Sequence, residues 1–252
     1  MAVKAVLITG AARRIGRRLA LDMAAAGWSV VAHYNDSDAE AASLLKEIES
    51  CGGRAALLKG DLSGNGMAEE LVDQGAKPFG PLACLINNAS RFEPDEVGGI
   101  TEASFDDHLR TNLRAPVMLA QAFARRLPSG ARGNIVNIVD QRVLKLTPLF
   151  FSYTISKAAL WTVTQTLAQA LAPRIRVNAI GPGPALPNRR MNEAEFAKQS
   201  RLTLLERGTS PEEISAALRF ILASPAMTGQ MIVLDGGQHL LWQTADVMHV
   251  EE

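Results

Sequence analysis

The stretch "KAVLITGAARRIGRRLALDMAAAGWSVVAHY", residues 4–34, decides the fold. An apolar run ends at Thr9 and Gly10, and a basic turn follows. Ile15, Leu19, Met23 and Ala26 then recur at helical spacing, and a second apolar run, "WSVVAHY" (28–34), closes the unit. The pattern is strand, tight turn, helix, strand. Gly10 at the strand end permits the turn, and Gly16 lets helix and strand pack closely. The helix N-terminus then offers backbone N–H groups to a pyrophosphate. Arg14 stands where a third glycine is often found. Arg13 and Arg14 lie inside the turn and are read as phosphate contacts, whereas Arg17 and Arg18 suit a solvated basic face.

Outward from this unit the pattern repeats. Apolar runs recur at 54–60, 82–87, 133–139, 175–180 and 230–237, rich in Val, Ile and Leu without clean alternation. Strands buried on both faces of a parallel sheet read that way. Helical patterns fill 37–51, 66–77, 101–127, 150–172 and 211–223, with Ser37 and Ser210 placed as N-caps and Pro211 at a first helical position. Seven strands alternating with helices predict a Rossmann-type doubly wound α/β sheet with helices on both faces, in one domain spanning 1–252. The stretch 184–207 follows the sixth strand and turns helical from Asn192. It is expected to be a substrate lid inserted in that domain.

Composition narrows the function. The 252 residues are 47% hydrophobic, enough for a large core, and Lys+Arg equals Asp+Glu at 26 each. That balance argues against nucleic acid or an anionic membrane as partner. No apolar run reaches bilayer length, and the N-terminus is too quickly interrupted for a signal peptide. Cys51 and Cys84 are read as reduced thiols in a cytoplasmic protein. His33, His108, His239 and His249 lack ligand spacing, so no metal site is expected.

The cofactor reading turns on the end of the second strand, "AHYNDS". Enzymes that take the unphosphorylated dinucleotide usually place an acid there to bind the ribose 2′-hydroxyl. Here His33 and Tyr34 hold that place, followed by Asn35, Asp36 and Ser37. Ser37 can hydrogen-bond a 2′-phosphate and the turn arginines can pair with it. Asp36 would repel that phosphate if it pointed inward. The sum favours NADP(H).

A second stretch, "IVDQRVLKLTPLFFSYTISK" (138–157), carries the candidate chemistry. Tyr153 and Lys157 share a helix face at i and i+4. A cation beside a phenol favours the phenolate, so Lys157 is expected to lower the Tyr153 pKa. Asp140 lies upstream, either as a reacting acid or as a cap or salt-bridge partner of Arg142 or Lys145.

These motifs occur in order with "NNAS" (87–90), "TNLRAP" (111–116) and "GPG" (181–183), and the chain resembles the short-chain dehydrogenases/reductases over essentially its full length. The resemblance assigns a cofactor turn to Thr9, Gly10, Ile15 and Gly16, and adenine contacts to Asp61 and Leu62. Asn88, Ala89 and Ser90 join the cofactor set with Pro182 and Gly183, which would cover the nicotinamide. Asn112 matches the helix asparagine of a proton relay, and Tyr153 and Lys157 the catalytic pair, both also touching cofactor. Most of that family has a serine where Asp140 stands. Asp140, the arginine in the turn, "HY" before a serine, and "NNASxF" together resemble the pteridine reductases and the bacterial dihydromonapterin and dihydrofolate reductases. That resemblance implies a pterin stacked between Phe92 and the nicotinamide, with Arg14, Ser90, Asp140, Tyr153 and Pro184 around it. It also implies a homotetramer or homodimer, in keeping with the apolar run around Trp161. Two other readings stay open: a carbonyl reductase or alcohol dehydrogenase, for example of 3-oxoacyl thioesters, and a non-catalytic NADP(H) sensor.

Overall fold

The strands are β1 (Ala5–Ile8), β2 (Ser29–Tyr34), β3 (Arg54–Lys59), β4 (Leu82–Asn87), β5 (Gly133–Ile138), β6 (Ile175–Pro182) and β7 (Met231–Leu234). The computed structural model describes residues 4–188 and 190–244. The strands form one parallel sheet in the order β3-β2-β1-β4-β5-β6-β7. After β3 the chain crosses back to pair β4 with the far side of β1. The order therefore reverses between β1 and β4, which opens a crevice at their carboxyl ends.

The helices are α1 (Arg14–Ala25), α2 (Asp38–Ser50), α3 (Met67–Ala76), α4 (Glu102–Leu109), α5 (Ala115–Arg126), α6 (Phe151–Leu171), α7 (Glu193–Arg201) and α8 (Pro211–Ala223). Alternate residues of β1 face opposite layers. Val6 and Ile8 pack with Leu19 and Met23 of α1, Leu44 of α2 and Leu218 of α8. Ala5 and Leu7 pack with Leu71 of α3 and with Leu119 and Phe123 of α5. Burial on both faces explains why the strands read as continuous apolar runs. The fold is the expected Rossmann-type α/β sheet.

Two local expectations change. The helix expected over 101–127 is broken by a π-helical turn, Arg110–Arg114. Pro116, in the first turn of α5, has no N–H for the carbonyl of Asn112, so the ladder widens there. Ser37 stands at the N-cap of α2 but makes no side-chain cap. Its backbone is not extended, and its hydroxyl donates to Asp36 Oδ1 instead. Trp161 packs at the margin of a cluster of the chain's own residues, Val139, Leu160 and Ala179. By contrast Ser210 and Asn192 each form a capping box, with Glu213 and Glu195.

The stretch 184–207 leaves and rejoins the sheet at one point. Thr209 N–H donates to the Pro184 carbonyl at 3.0 Å. A Cβ on Gly208 would stand 2.1 Å from that carbonyl oxygen, so only glycine fits the closure. The segment carries α7 and lies beside the carboxyl end of β6. Residues 245–252 lie outside the described residues, as does Arg189.

Candidate active site

The glycine turn is shaped from below. Gly10 has φ +63, and its N–H donates to His33 Nδ1 at 3.2 Å. His33 Nδ1 therefore accepts, and Nε2–H donates to the Gly60 carbonyl at 3.0 Å. Burial holds the His33 pKa below its ordinary value. Expected as a cofactor contact, this imidazole spends both nitrogens tying together the ends of β1, β2 and β3. A Cβ on Gly16 would lie 2.2 Å from the Gly10 carbonyl oxygen, so α1 can approach β1 only with glycine there. Thr9 Oγ1 accepts from the N–H groups of Asn88 and Ala89, and Asn88 Nδ2 donates to Thr9 O and Gly10 O. Asn88 and Ala89 thus fasten β4 to the turn at the switch point.

Arg13 caps α1 in position only, with no side-chain bond, and the first turn of α1 holds no acid. Its guanidinium pairs with Asp36 at 3.5 Å and Glu40 at 3.6 Å. Arg14 adopts φ +56, the conformation a glycine takes without strain. Its side chain donates to the carbonyls of Pro187 (2.6 Å) and Leu186 (3.2 Å). Ile15 is half-buried beside the turn. At the ribose end, Tyr34 is half-buried and Asn35 exposed, whereas Ser37 is buried. The Asp61 carboxylate takes the N–H and hydroxyl of Ser63, which hold its pKa below the usual carboxylate range, and Leu62 is buried beneath it.

The reacting centre lies across the crevice. Tyr153 Oη donates to Asp140 Oδ2 at 2.7 Å. Asp140 Oδ1 accepts from the backbone N–H of Arg142 at 2.8 Å, so the acid both caps a short turn and holds the phenol. Lys157 Nζ donates to the Ile138 carbonyl at 2.8 Å and stands 5.7 Å from the Tyr153 ring centre. Burial, then the charge and hydrogen bond of Asp140, push the Tyr153 pKa well above that of a free phenol. Burial depresses Lys157 to about 8. The expected lowering of Tyr153 by Lys157 is therefore not found. The carboxylate contacts the phenol oxygen directly, whereas the ammonium is spent on a backbone carbonyl.

Asn112 is fully buried in the π turn. Its amide joins the N–H and carbonyl of Arg91, the Ser90 hydroxyl and Ser156 Oγ. It fixes the loop carrying Ser90 and Phe92 against α6. Pro182 is buried at the end of β6, and Gly183 N–H donates to Leu234 O. Pro184 follows at the base of the 184–207 segment.

Sequence reading missed four residues here. Phe150, at φ +55, stacks flat on Phe92 with ring centres 4.4 Å apart. Phe92 also meets Tyr153 edge-on at 4.7 Å. Arg190 reaches from the 184–207 segment to both phenylalanines, and the Arg142 guanidinium lies 5.1 Å from Phe150. Asp95 accepts from the N–H groups of Phe151 and Ser152, capping α6 from another loop. Of these only Arg142 entered the sequence reading, as a partner for Asp140, and Phe150, Asp95 and Arg190 lie in aperiodic loops or at their junctions.

A model of the short chain dehydrogenase family matches residues 4–198. An L-xylulose reductase of Caenorhabditis elegans is 33% identical over 242 residues, covering 93% of this chain and 95% of the relative. Among solved structures, the FolM alternative dihydrofolate reductase 1 of Brucella suis, in complex with NADP, is 46% identical with a TM-score of 0.95, covering 98% of this chain and 99% of that one. The Brucella canis protein of the same description, also complexed with NADP, is 46% identical with a TM-score of 0.94, covering 98% of each chain. With its seven-stranded parallel sheet and its tyrosine–lysine pair on α6, this chain belongs to the short chain dehydrogenase family and is an oxidoreductase.

Proposed function

We propose that the protein is an NADPH-dependent reductase of a dihydropterin-type ring. The cofactor fits the residues present. The N-terminus of α1 carries neither a capping side chain nor an acid, and Gly10 and Gly16 clear the backbone above it. No acid closes β2. The Asp36 side chain is 76% exposed and held by Arg13, which places the guanidinium beside Ser37 where a 2′-phosphate would lie. The NADP complexes of the two Brucella proteins support the same choice.

One observation carries the substrate class: an acid bonded to the catalytic phenol, beside an aromatic wall. A serine there would polarise a carbonyl. A carboxyl group instead matches the N–H and amino edge of a pterin and can hand on a proton. Bound NADPH supplies the hydride to a ring carbon. Tyr153 gives its proton to the adjacent ring nitrogen. Burial and the Asp140 carboxylate keep the phenol protonated until that transfer, and the phenolate left behind takes a proton back from solvent before the next turnover. Lys157 would hold the nicotinamide ribose, Asn112 the substrate loop, and the 184–207 segment would close over the pair.

The test follows NADPH oxidation with dihydrobiopterin, dihydromonapterin and dihydrofolate, with NADH as cofactor control and L-xylulose as a ketone control. Turnover of a dihydropterin that is lost in Asp140→Ser supports the reading. Turnover of the ketone alone moves the function to carbonyl reduction.

A further inference from the structure

Arg190 flanks the aromatic wall formed by Phe92 and Phe150. Its guanidinium lies 5.3 Å from the Phe92 ring centre and 5.7 Å from that of Phe150. One terminal nitrogen donates to the Phe92 carbonyl at 2.9 Å, which fixes the fork in register with the wall. The other meets Glu93 Oε2 at 2.7 Å. Phe92 in turn stands 4.7 Å from Tyr153, so Arg190 lies no further than about 10 Å from the phenol ring with the two contacts end to end. Arg142, 5.1 Å from the Phe150 ring centre, adds a second cation whose buried Nε has no hydrogen-bond partner among the described residues.

Resting on the pterin reading above, we propose that Arg190 is a specificity-determining residue. It binds a carboxylate carried on the substrate's tail, with Arg142 adding positive charge to the same rim. The site therefore favours a pterin bearing an acidic tail over one bearing a neutral polyol. Three features support this. The guanidinium already holds a carboxylate, that of Glu93, so its geometry suits one. That pair is exposed, with the side chains 38% and 54% accessible, and exposed pairs are weak and exchange readily. The carbonyl bond and the two rings keep the fork in place when the carboxylate changes. Glu93 is then a competitor for the guanidinium, and the two residues act in opposite directions on the same ligand.

The experiment compares dihydrofolate, whose tail ends in carboxylates, with dihydromonapterin, whose tail is neutral, both with NADPH. In Arg190→Gln the ratio of kcat/KM for dihydrofolate to that for dihydromonapterin should fall about tenfold, carried by KM. In Glu93→Gln the same ratio should rise. In the wild type, KM for dihydrofolate should climb with ionic strength while that for dihydromonapterin should not. Equal changes on both substrates in the two variants would overturn the proposal and leave the pterin reading standing. Turnover of neither pterin by the wild type would remove both.

Discussion

The phenol of Tyr153 donates a hydrogen bond to the carboxylate of Asp140 across 2.7 Å, between residues thirteen apart in the chain. The bond sets the direction of the first expectation. Burial and Asp140 hold Tyr153 well above an ordinary phenol, so it stays protonated through the working range. Tyr153→Phe should lower kcat by about 10²–10⁴-fold, the usual contribution of a general acid. Asp140→Asn keeps an acceptor for the phenol but removes the charge beside it, so it should lower kcat less than Tyr153→Phe. Steady-state kinetics of the two variants check this, and a loss in Asp140→Asn as deep as in Tyr153→Phe would show that the charge of Asp140, and not its hydrogen bond, is what the phenol needs.

Lys157 gives a stability expectation with a definite sign. Its pKa is about 8 in the folded protein, against 10.5 for an unburied lysine. Between those values the unfolded chain holds the proton that the folded chain has released, so stability rises with pH. Below about 8 both states hold the proton and the full burial penalty remains. The shift corresponds to about 3 kcal/mol across that window. Urea unfolding at pH 7.5 and 10 should show the gain in the wild type, and a smaller gain in Lys157→Met.

The sheet was readable because burial on both faces leaves an unbroken apolar run at each strand. The cofactor turn was readable because Gly10 and Gly16 answer local steric demands. Tyr153 and Lys157 were readable because a helix fixes their spacing. What escaped was set by distant partners. The tie that His33 makes between Gly10 and Gly60 was not legible, because nothing local shows that those two glycines occupy its ring. The π turn was hidden in an otherwise helical pattern, although Pro116 marked it. Phe150, Arg142 and Arg190 meet Phe92 or one another only through tertiary folding of aperiodic loops, and no periodicity records that.

Asn112 makes an uncommon demand on the core. Its amide satisfies both backbone groups of Arg91 and two hydroxyls with no exposure to solvent. Asn112→Ala would strand those groups, at about 1–3 kcal/mol for each buried group left unpaired. The melting temperature should fall by several degrees, and KM for the substrate should rise as the Phe92 loop loosens. Loss of activity with an unchanged melting temperature would show instead that Asn112 acts only in catalysis.

Asp36 and Arg13 are the pair proposed to set the cofactor choice. They are 3.5 Å apart and exposed, so Asp36 partly neutralises the cation beside Ser37. Asp36→Ala should leave Arg13 paired with Glu40 alone and sharpen the preference for NADPH over NADH. Arg13→Gln should blunt that preference, with about a tenfold rise in KM for NADPH and little change for NADH. Paired titrations of both nucleotides against the two variants decide the matter, and parallel shifts for NADPH and NADH would place the 2′-phosphate elsewhere.

Arg14 separates strain from function. A non-glycine residue at φ +56 costs about 1 kcal/mol relative to glycine, so Arg14→Gly should stabilise the turn. The same change removes the two bonds to the carbonyls of Leu186 and Pro187 that tie the turn to the 184–207 segment. The variant should melt no lower than the wild type, yet show a raised KM for substrate and faster proteolytic nicking within 184–207. The strain at Arg14 is offset by what its side chain reaches, and that is the segment proposed to close the site. Unchanged KM and unchanged nicking in Arg14→Gly would show that the turn does not govern that segment.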